Sequence, residues 1–367
     1  MGPSIAFIKS HVSAAGGLEK YTKRLVAAYV QRGYRVFLLT TDNNHPLPGC
    51  TIVSLGTRSK CSLWHLLRFD YACKQWLAHH PVDIVFGLDR NFCKQTHYRA
   101  GNGVHAAYLE RRKAFSSPFK RLSFLLNPLH WLILAMEKKT FESADLQLLF
   151  TNSEMVRQEV LRHYPKVQPD KVKTVHNGVE WQEMALSFKK SFDIERSDDY
   201  RFLFVGNEYD RKGLPLLLEA LSLLKERKFS LAVVGKERNT KKFSELARTF
   251  GLQDQVQFFG PQTEGKVIPF YQAADCCVIP SRYDPFANTT VEALAMGLYV
   301  VSSSNNGGSE VIASDNMGLV FTDYTARALA ACLETAMNHP KTQESAHTIR
   351  QAIQHLDFSH QITQLIF

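Results

Sequence analysis

The sequence predicts an α/β protein built from two doubly wound, parallel-sheet domains. Three observations lead there. Short apolar runs alternate with segments of helical periodicity along the chain, the pattern of parallel strands joined by helical crossovers. The alternation breaks over one polar, charged stretch, SFKKSFDIERSDDY, and then restarts. The length, 367 residues, suits two domains.

IAFIKS is a short apolar strand, SAAGGLEKY a glycine-rich turn, and LEKYTKRLVAAYVQRGY a helix that stops at Gly33. RVFLLTT, TIVSL and DIVFGL read as the next strands, with SLWHLLRFDYACKQWLAHH a helix between the last two. QLLFTNS is a strand ending in a cap, Ser153, before the helix EMVRQEVLRHY. VKTVHNGV is a strand that runs into the Asn177-Gly178 turn. After the polar stretch, RFLFVG, SLAVVG, VQFFG, CCVIPS, YVVSS and GLVF read as strands. GLPLLLEALSLLKER, KKFSELARTFG, VIPFYQAA and NTTVEALAMG read as the helices between them. The expected organisation is an N-terminal domain over 1–182, a linker over 183–200 and a C-terminal domain over 201–345. Residues 346–367 are expected as a helical segment packing back on the N-terminal domain. Ligands of doubly wound sheets lie at the carboxyl ends of the strands, so a cleft between two facing domains is the expected site.

Composition narrows the class. The hydrophobic content of 45% allows a sizeable core. Seven cysteines, an odd number without a C-x-x-C pair, argue against a disulfide framework and a zinc site and for a reducing compartment. The N-terminal residues enter a strand without the apolar region of a signal peptide, so cytoplasmic residence is expected. Charge is uneven: residues 1–180 hold 25 Lys+Arg against 13 Asp+Glu, and the remainder 19 against 22. The basic half suits an anionic partner, or is simply a basic soluble domain. Nothing resembles a base-stacking platform or a groove-reading helix, so no nucleic-acid partner is expected.

Four constellations carry chemistry. The first is PSRYDPFANTTVEALAMG. A strand ends at Pro280-Ser281, a loop carries Asp284, Phe286 and Ala287, and a helix begins near Asn288 with Glu292 in its first turns. Free N–H groups and the helix dipole make an anion site beside Asn288, Thr289 and Thr290. The two carboxylates are acceptors suited to a hydroxyl-rich ligand. The competing reading is that Asp284 and Asn288 only cap the helix. The second is FLFVGNEYDRKGLPLLLEA, with Asn207 after the strand and Arg211-Lys212-Gly213 before the helix. Arg supplies a bidentate fork and Lys a point charge for a diphosphate leaving group. A solvated basic helix start is the alternative, but cations there oppose the dipole. The third is the Gly16-Gly17 turn with Glu19, where glycine lets a ligand approach the backbone. The fourth is THYRAGNGVHAAYLERRK. GNGVHA fits G-x-G-x-x-A, but it follows no clean apolar strand and no acidic residue stands about 20 positions on, which excludes NAD. His105 in this stretch is a candidate sugar contact or a structural histidine. There is no D-x-D pair and no His/Cys metal spacing, so no metal or other cofactor is expected.

Taken together, GGLE, HNGV, FLFVG…RKG, DPFANTTVEALAMG and Gly307-Gly308 resemble glycosyltransferase family 4. The resemblance spans nearly the whole chain. It implies the GT-B fold, two Rossmann-like domains facing an interdomain cleft, and transfer with retention of anomeric configuration. The spacing is most similar to lipopolysaccharide core glucosyltransferases acting on inner-core heptose. On matching positions, Arg211 and Lys212 would bind the donor diphosphate, Asp284 the donor-sugar hydroxyls and Glu292 the ribose hydroxyls. Gly16 and Gly17 would lie under the phosphates and His105 would contact the transferred sugar. Asp284 stands where the family usually has Glu, Ala287 where Gly is common and Asn207 where Arg is frequent. These departures bear on donor identity and phosphate grip.

RRKAFSSPFKRLSFLLNPLHWLILAMEKK, residues 111–139, joins basic residues to an apolar run too short and too interrupted for a span. It reads either as an interfacial segment on an anionic membrane or as a buried helix. The expected activity is transfer of a hexose from a UDP-sugar, UDP-glucose first, to a lipid-linked glycan at the cytoplasmic membrane face. A UDP-sugar epimerase of similar fold and a catalytically silent sugar-nucleotide binder are the alternatives. Acceptor dependence separates the first from a transferase, and donor hydrolysis separates the second from an enzyme.

Overall fold

The computed structural model describes every residue except 1, 13–16, 43–45, 57–60, 116, 196–197, 225–226 and 367. Two compact units result. One comprises Met1–Val175 with Ile362–Phe367, the other His176–Gln361.

The first unit holds β1 (Ser4–Ile8), β2 (Arg35–Thr40), β3 (Cys50–Ser54), β4 (Ile84–Gly87), β5 (His97–Ala100), β6 (Leu148–Thr151) and β7 (Val172–Thr174). They form one parallel sheet in the order β3-β2-β1-β4-β5-β6-β7. The second unit holds β8 (Tyr200–Val205), β9 (Phe229–Val234), β10 (Val256–Gly260), β11 (Cys276–Ile279), β12 (Tyr299–Ser303) and β13 (Gly318–Phe321). Their order is β10-β9-β8-β11-β12-β13, again parallel throughout. Central strands are covered on both faces, which is why they read as continuous apolar runs. Both β1 and β11 are buried at every position. Around the second sheet, Phe202, Phe204, Val233 and Val278 pack into one core, and Leu203, Val234, Cys277 and Ile279 into another. The alternation along each strand assigns its residues to opposite faces.

Three sequence expectations differ from the structure. The HYRA segment, discounted because it is not apolar, is β5 and is buried throughout. Its polar residues have partners: the Arg99 guanidinium lies 3.8 Å from the Tyr21 ring centroid, and His97 Nδ1 is 2.9 Å from Thr96 Oγ1. GNGVHA therefore does follow a strand and opens the helix His105–Ala114. The expected linker, 183–200, contains the helix Ala185–Lys189 and the 3-10 turn Lys190–Phe192. Phe188 is buried there and meets Phe192 and His347 edge-on, at 5.4 and 4.9 Å, so a few aromatic anchors order a polar stretch. Of residues 346–367, those through Gln361 belong to the second unit. Ala346, Ile349, Ile353 and Leu356 are buried in its core, and the Arg350 guanidinium donates to the carbonyls of Ala295 and Trp181. Only the last residues join the first unit, where Tyr29 Oη donates to the Leu365 carbonyl at 2.8 Å.

Candidate active site

In the second unit the strand order reverses between β8 and β11, and two turns leave the carboxyl ends of those neighbours. That is the switch point where doubly wound sheets bind ligands. Gly206–Gly213 follows β8, and Pro280–Ala287 follows β11.

The geometry of these turns rests on backbone features. Gly213 has φ +83° and precedes the helix Leu214–Ser222; a Cβ there would stand 1.7 Å from the Pro280 carbonyl oxygen. Only glycine permits that approach. Arg282 N donates to the Arg211 carbonyl at 3.0 Å, which ties one turn to the other. A Cβ on Gly206 would lie 3.1 Å from Cγ of Lys212, so this glycine leaves room for the lysine stem.

These constraints bring Arg211, Lys212 and Asp284 together. Lys212 Nζ donates to Asp284 Oδ2 at 2.5 Å, and Arg211 Nη1 lies 3.5 Å from the same oxygen. Arg211 Nε donates to Glu208 Oε2 at 2.6 Å. Asp284 Oδ1 accepts from the Phe286 N–H at 3.2 Å. Burial raises the Asp284 carboxyl, but Lys212 and Arg211 outweigh it and hold the group below the usual carboxylate value. Lys212 and Asp284 are nearly enclosed.

The helix Asn288–Ala295 starts at Ala287 with no side-chain cap, so the capping reading of Asp284 and Asn288 does not describe this turn. The N–H groups of its first turn suit an anion. Thr289 Oγ1 is buried with no hydrogen-bond partner among the described residues. Asn288 Oδ1 accepts from Asn177 Nδ2 at 2.7 Å, and Thr290 Oγ1 accepts from Asn306 Nδ2 at 3.1 Å. Glu292 Oε2 accepts from the Tyr271 hydroxyl at 2.7 Å, which fixes the carboxylate's orientation. The Phe286 ring lies 5.8 Å from that of His176.

The remaining predicted site residues are engaged by other partners or belong to the first unit. Asn207 is exposed, and its Oδ1 accepts from the Lys236 N–H at 2.6 Å, holding the β9 turn. Gly17 begins the helix Gly17–Gln31 of the first unit, and Gly16 lies outside the described residues. His105 also belongs to the first unit and is buried. Its N–H lies 2.8 and 2.9 Å from the two oxygens of Glu137, which also accepts from Arg90 Nε at 2.7 Å and the Tyr164 hydroxyl at 2.7 Å. His105 Nε2 sits 3.0 Å from His130 Nδ1. Burial, then Arg90, His130 and Arg112, push the His105 imidazole down to about 3, so it is neutral at physiological pH.

Sequence reasoning missed several supporting residues. Asn306 is fully buried and uses its whole amide. Oδ1 accepts from Ala287 N and Gly308 N at 2.9 and 3.0 Å, while Nδ2 donates to Thr290 Oγ1 and Ser302 Oγ. The N-N-G-G turn was its only signal. Glu208, with φ +59°, is the one non-glycine residue at positive φ among the described residues. Its acidic partner role for Arg211 shows only in the fold. Among the described residues, no group of three or more His, Cys, Asp or Glu is arranged to hold a metal ion.

Two family models match the chain: Glycosyltransferase Family 4 over residues 15–183, and Glycosyl transferases group 1 over 187–355. The chain is a glycosyltransferase with the GT-B fold, its two halves matching these two models. This glycosyltransferase is 24% identical to a D-inositol 3-phosphate glycosyltransferase of Paenarthrobacter aurescens, covering 93% of the chain and 91% of the relative. It is 22% identical to the lipopolysaccharide glucosyltransferase WaaG of Escherichia coli, covering 87% and 85%. The crystal structure of WaaG superposes with a TM-score of 0.79 over 98% of each chain at 21% identity, a likeness of fold. An Anabaena protein, HepE, solved in complex with UDP-glucose, shares the fold at a TM-score of 0.70 and 15% identity, over 99% and 98% of the two chains.

Proposed function

We propose that this glycosyltransferase moves glucose from UDP-glucose, with retention and without a divalent metal, to a sugar of a lipid-linked glycan such as lipopolysaccharide core. The observation that carries the reading is the Lys212–Asp284 pair, flanked by Arg211, at the switch point beside an uncapped helix start. The pair is a placeholder: when a diphosphate arrives, Lys212 and Arg211 turn from the carboxylate to its oxygens. Asp284 is then released to accept hydroxyls of the transferred sugar. The N–H groups at Asn288 and Thr289, with the Thr289 hydroxyl, complete the phosphate cradle. Glu292, oriented by Tyr271, accepts the ribose hydroxyls, and Phe286 and Ala287 shape the loop between. The family resemblance also implies roles for His105 toward the sugar and for Gly16, Gly17 and Asn207 toward the donor.

In the transfer step the bond from the anomeric carbon to the phosphate oxygen breaks. The acceptor oxygen bonds to the same face of that carbon, and its proton passes to the departing phosphate. Cations fixed around a developing charge are the largest lever available; one such donor is worth about 3–4 kcal/mol of barrier. The lipopolysaccharide glucosyltransferase, the D-inositol 3-phosphate glycosyltransferase and the complex of HepE with UDP-glucose support a hexosyl donor and a lipopolysaccharide or inositol phosphate acceptor.

The reading includes peripheral attachment to the cytoplasmic face of a membrane. Residues 118–141 form the helices Pro118–Leu126 and Pro128–Phe141, which leave Leu122, Leu126 and Trp131 exposed beside Arg112 and Arg121. No helix among the described residues is long and apolar enough to cross a membrane. Apolar side chains bordered by cations suit an anionic interface.

Thermal-shift screening with UDP-, GDP- and ADP-sugars tests the donor. UDP-glucose is expected to raise the melting temperature of the parent and not of Lys212→Ala. A parent that responds to none of the nucleotides would overturn the proposal.

A further inference from the structure

The first unit carries a pocket of about 530 Å³ that none of the residues assigned above line. It opens at the carboxyl edge of the sheet, where Thr41 follows β2 and Leu55 and Gly56 follow β3. Its other wall is the helix Ser62–His79, through Trp64, Arg68 and Tyr71.

These three side chains stand at i, i+4 and i+7, so they share one face of the helix. That face is unusual for a helix packed on a sheet. Trp64 is 61% exposed and Tyr71 64%, while Phe69 and Cys73 on the opposite face are buried. Two large aromatic rings open to water at the rim of a concavity are costly unless something covers them. Flat rings with a polar edge suit a ligand that has both an apolar face and hydroxyls. A pyranose is such a ligand: its axial C–H groups make a flat apolar face, and its hydroxyls project around the rim.

Arg68 adds a charge. It is exposed on the pocket wall, and among the described residues it makes no ion pair or side-chain hydrogen bond. A guanidinium with five donors matches a phosphate or carboxylate. The polar floor is built. The His65 ring stacks on His11 at 5.0 Å with 7° between planes. His11 Nδ1 lies 3.3 Å from Thr41 Oγ1 and 3.5 Å from Asp42 Oδ1. Thr41 and His65 thus bring hydroxyl and imidazole groups to the pocket wall, and His11 contacts both.

We infer that this pocket is a subsite for a saccharide carrying an anionic substituent, a part of the acceptor glycan distinct from the hydroxyl that receives the sugar. Trp64 and Tyr71 stack on the ring and Arg68 holds the anion. The inference rests on the transferase reading for the word acceptor; the binding itself does not.

Full-length protein titrated calorimetrically with glucose 6-phosphate, glucuronate, glucose and inorganic phosphate tests it. At least one anionic sugar is expected to bind saturably, more tightly than glucose or inorganic phosphate alone. The better of the two identifies the anion. Trp64→Ala is expected to abolish that binding, and Arg68→Ala to weaken it about tenfold, to the level of glucose. Unchanged UDP binding in both variants shows that they are folded. Saturable binding that survives both substitutions, equal affinity for inorganic phosphate and sugar phosphate, or no binding of any probe would overturn the inference. UDP binding to the parent reports on the donor reading separately: sugar-phosphate binding without UDP binding sinks the donor reading and leaves the pocket standing.

Discussion

Lys212 and Asp284 stand 72 residues apart and meet at 2.5 Å, and most of the site's electrostatics follow from that meeting. The pair is nearly enclosed, so neither charge is well served by water. Breaking such a pair from one side leaves the other charge uncompensated. Asp284→Asn is therefore expected to cost about 3–5 kcal/mol of stability in urea unfolding at neutral pH. The sign of the pH dependence follows from the depressed carboxyl. Its stabilisation is present above the ordinary value of 3.8 and is lost as pH falls through the lower folded value. The difference between parent and variant should shrink in acid; a difference that is constant with pH would contradict the pairing. His105 is the second residue with a defined charge state. A ring held neutral down to about 3 does not titrate where an ordinary histidine does, near 6.5. NMR of the ring is expected to show no protonation between about pH 8 and 5. Because the folded value lies below the unfolded one, His105 withdraws stability as pH falls from 6.5 toward 3. A titration midpoint near 6.5 would show that Arg90 and burial do not act as described.

At the scale of elements, the sequence spoke clearly where period and sterics agree. Apolar runs such as IAFI and CCVI announce buried parallel strands, and the periodicity of LPLLLEALS announces a helix, whose left-handed entry at Gly213 the structure adds. It was silent where partners come from elsewhere. The strand HYRA is polar in sequence and buried in the fold because Tyr21 covers Arg99. The stretch 183–200 reads as a linker, yet Phe188 and Phe192 fold it against the second unit. Asn306 carries four hydrogen bonds that no local pattern discloses. The run at 122–136 read as interface or as buried core. The structure buries Met136 and leaves Leu122, Leu126 and Trp131 outside. Burying an exposed apolar side chain is worth about 1.5–3 kcal/mol. Sedimentation with phosphatidylglycerol vesicles at low salt is expected to retain the parent and to lose most of a Leu126→Ser, Trp131→Ser double variant. A parent that stays in the supernatant would rule out the attachment.

At the scale of the whole molecule, the two sheets were legible from alternation alone, because a parallel sheet needs a crossover after every strand. The end of each sheet where a ligand is expected was legible too, as the carboxyl end, whereas the strand order that places the switch point comes from the fold. The grouping of Arg211, Lys212 and Asp284 followed from two strand-to-helix turns that the fold makes neighbours. The roles of Gly16, Gly17 and Asn207 have no such support, for one lies outside the described residues and Asn207 is engaged in its own turn. The central claim is that this arrangement of cations, and not a metal, stabilises the departing diphosphate. UDP release from UDP-glucose, followed in excess EDTA for the parent and for Lys212→Ala, tests it most directly. The account predicts undiminished release by the parent in EDTA and a loss of about 10²–10³-fold in the variant; release that stops in EDTA, or that survives Lys212→Ala unchanged, would contradict it.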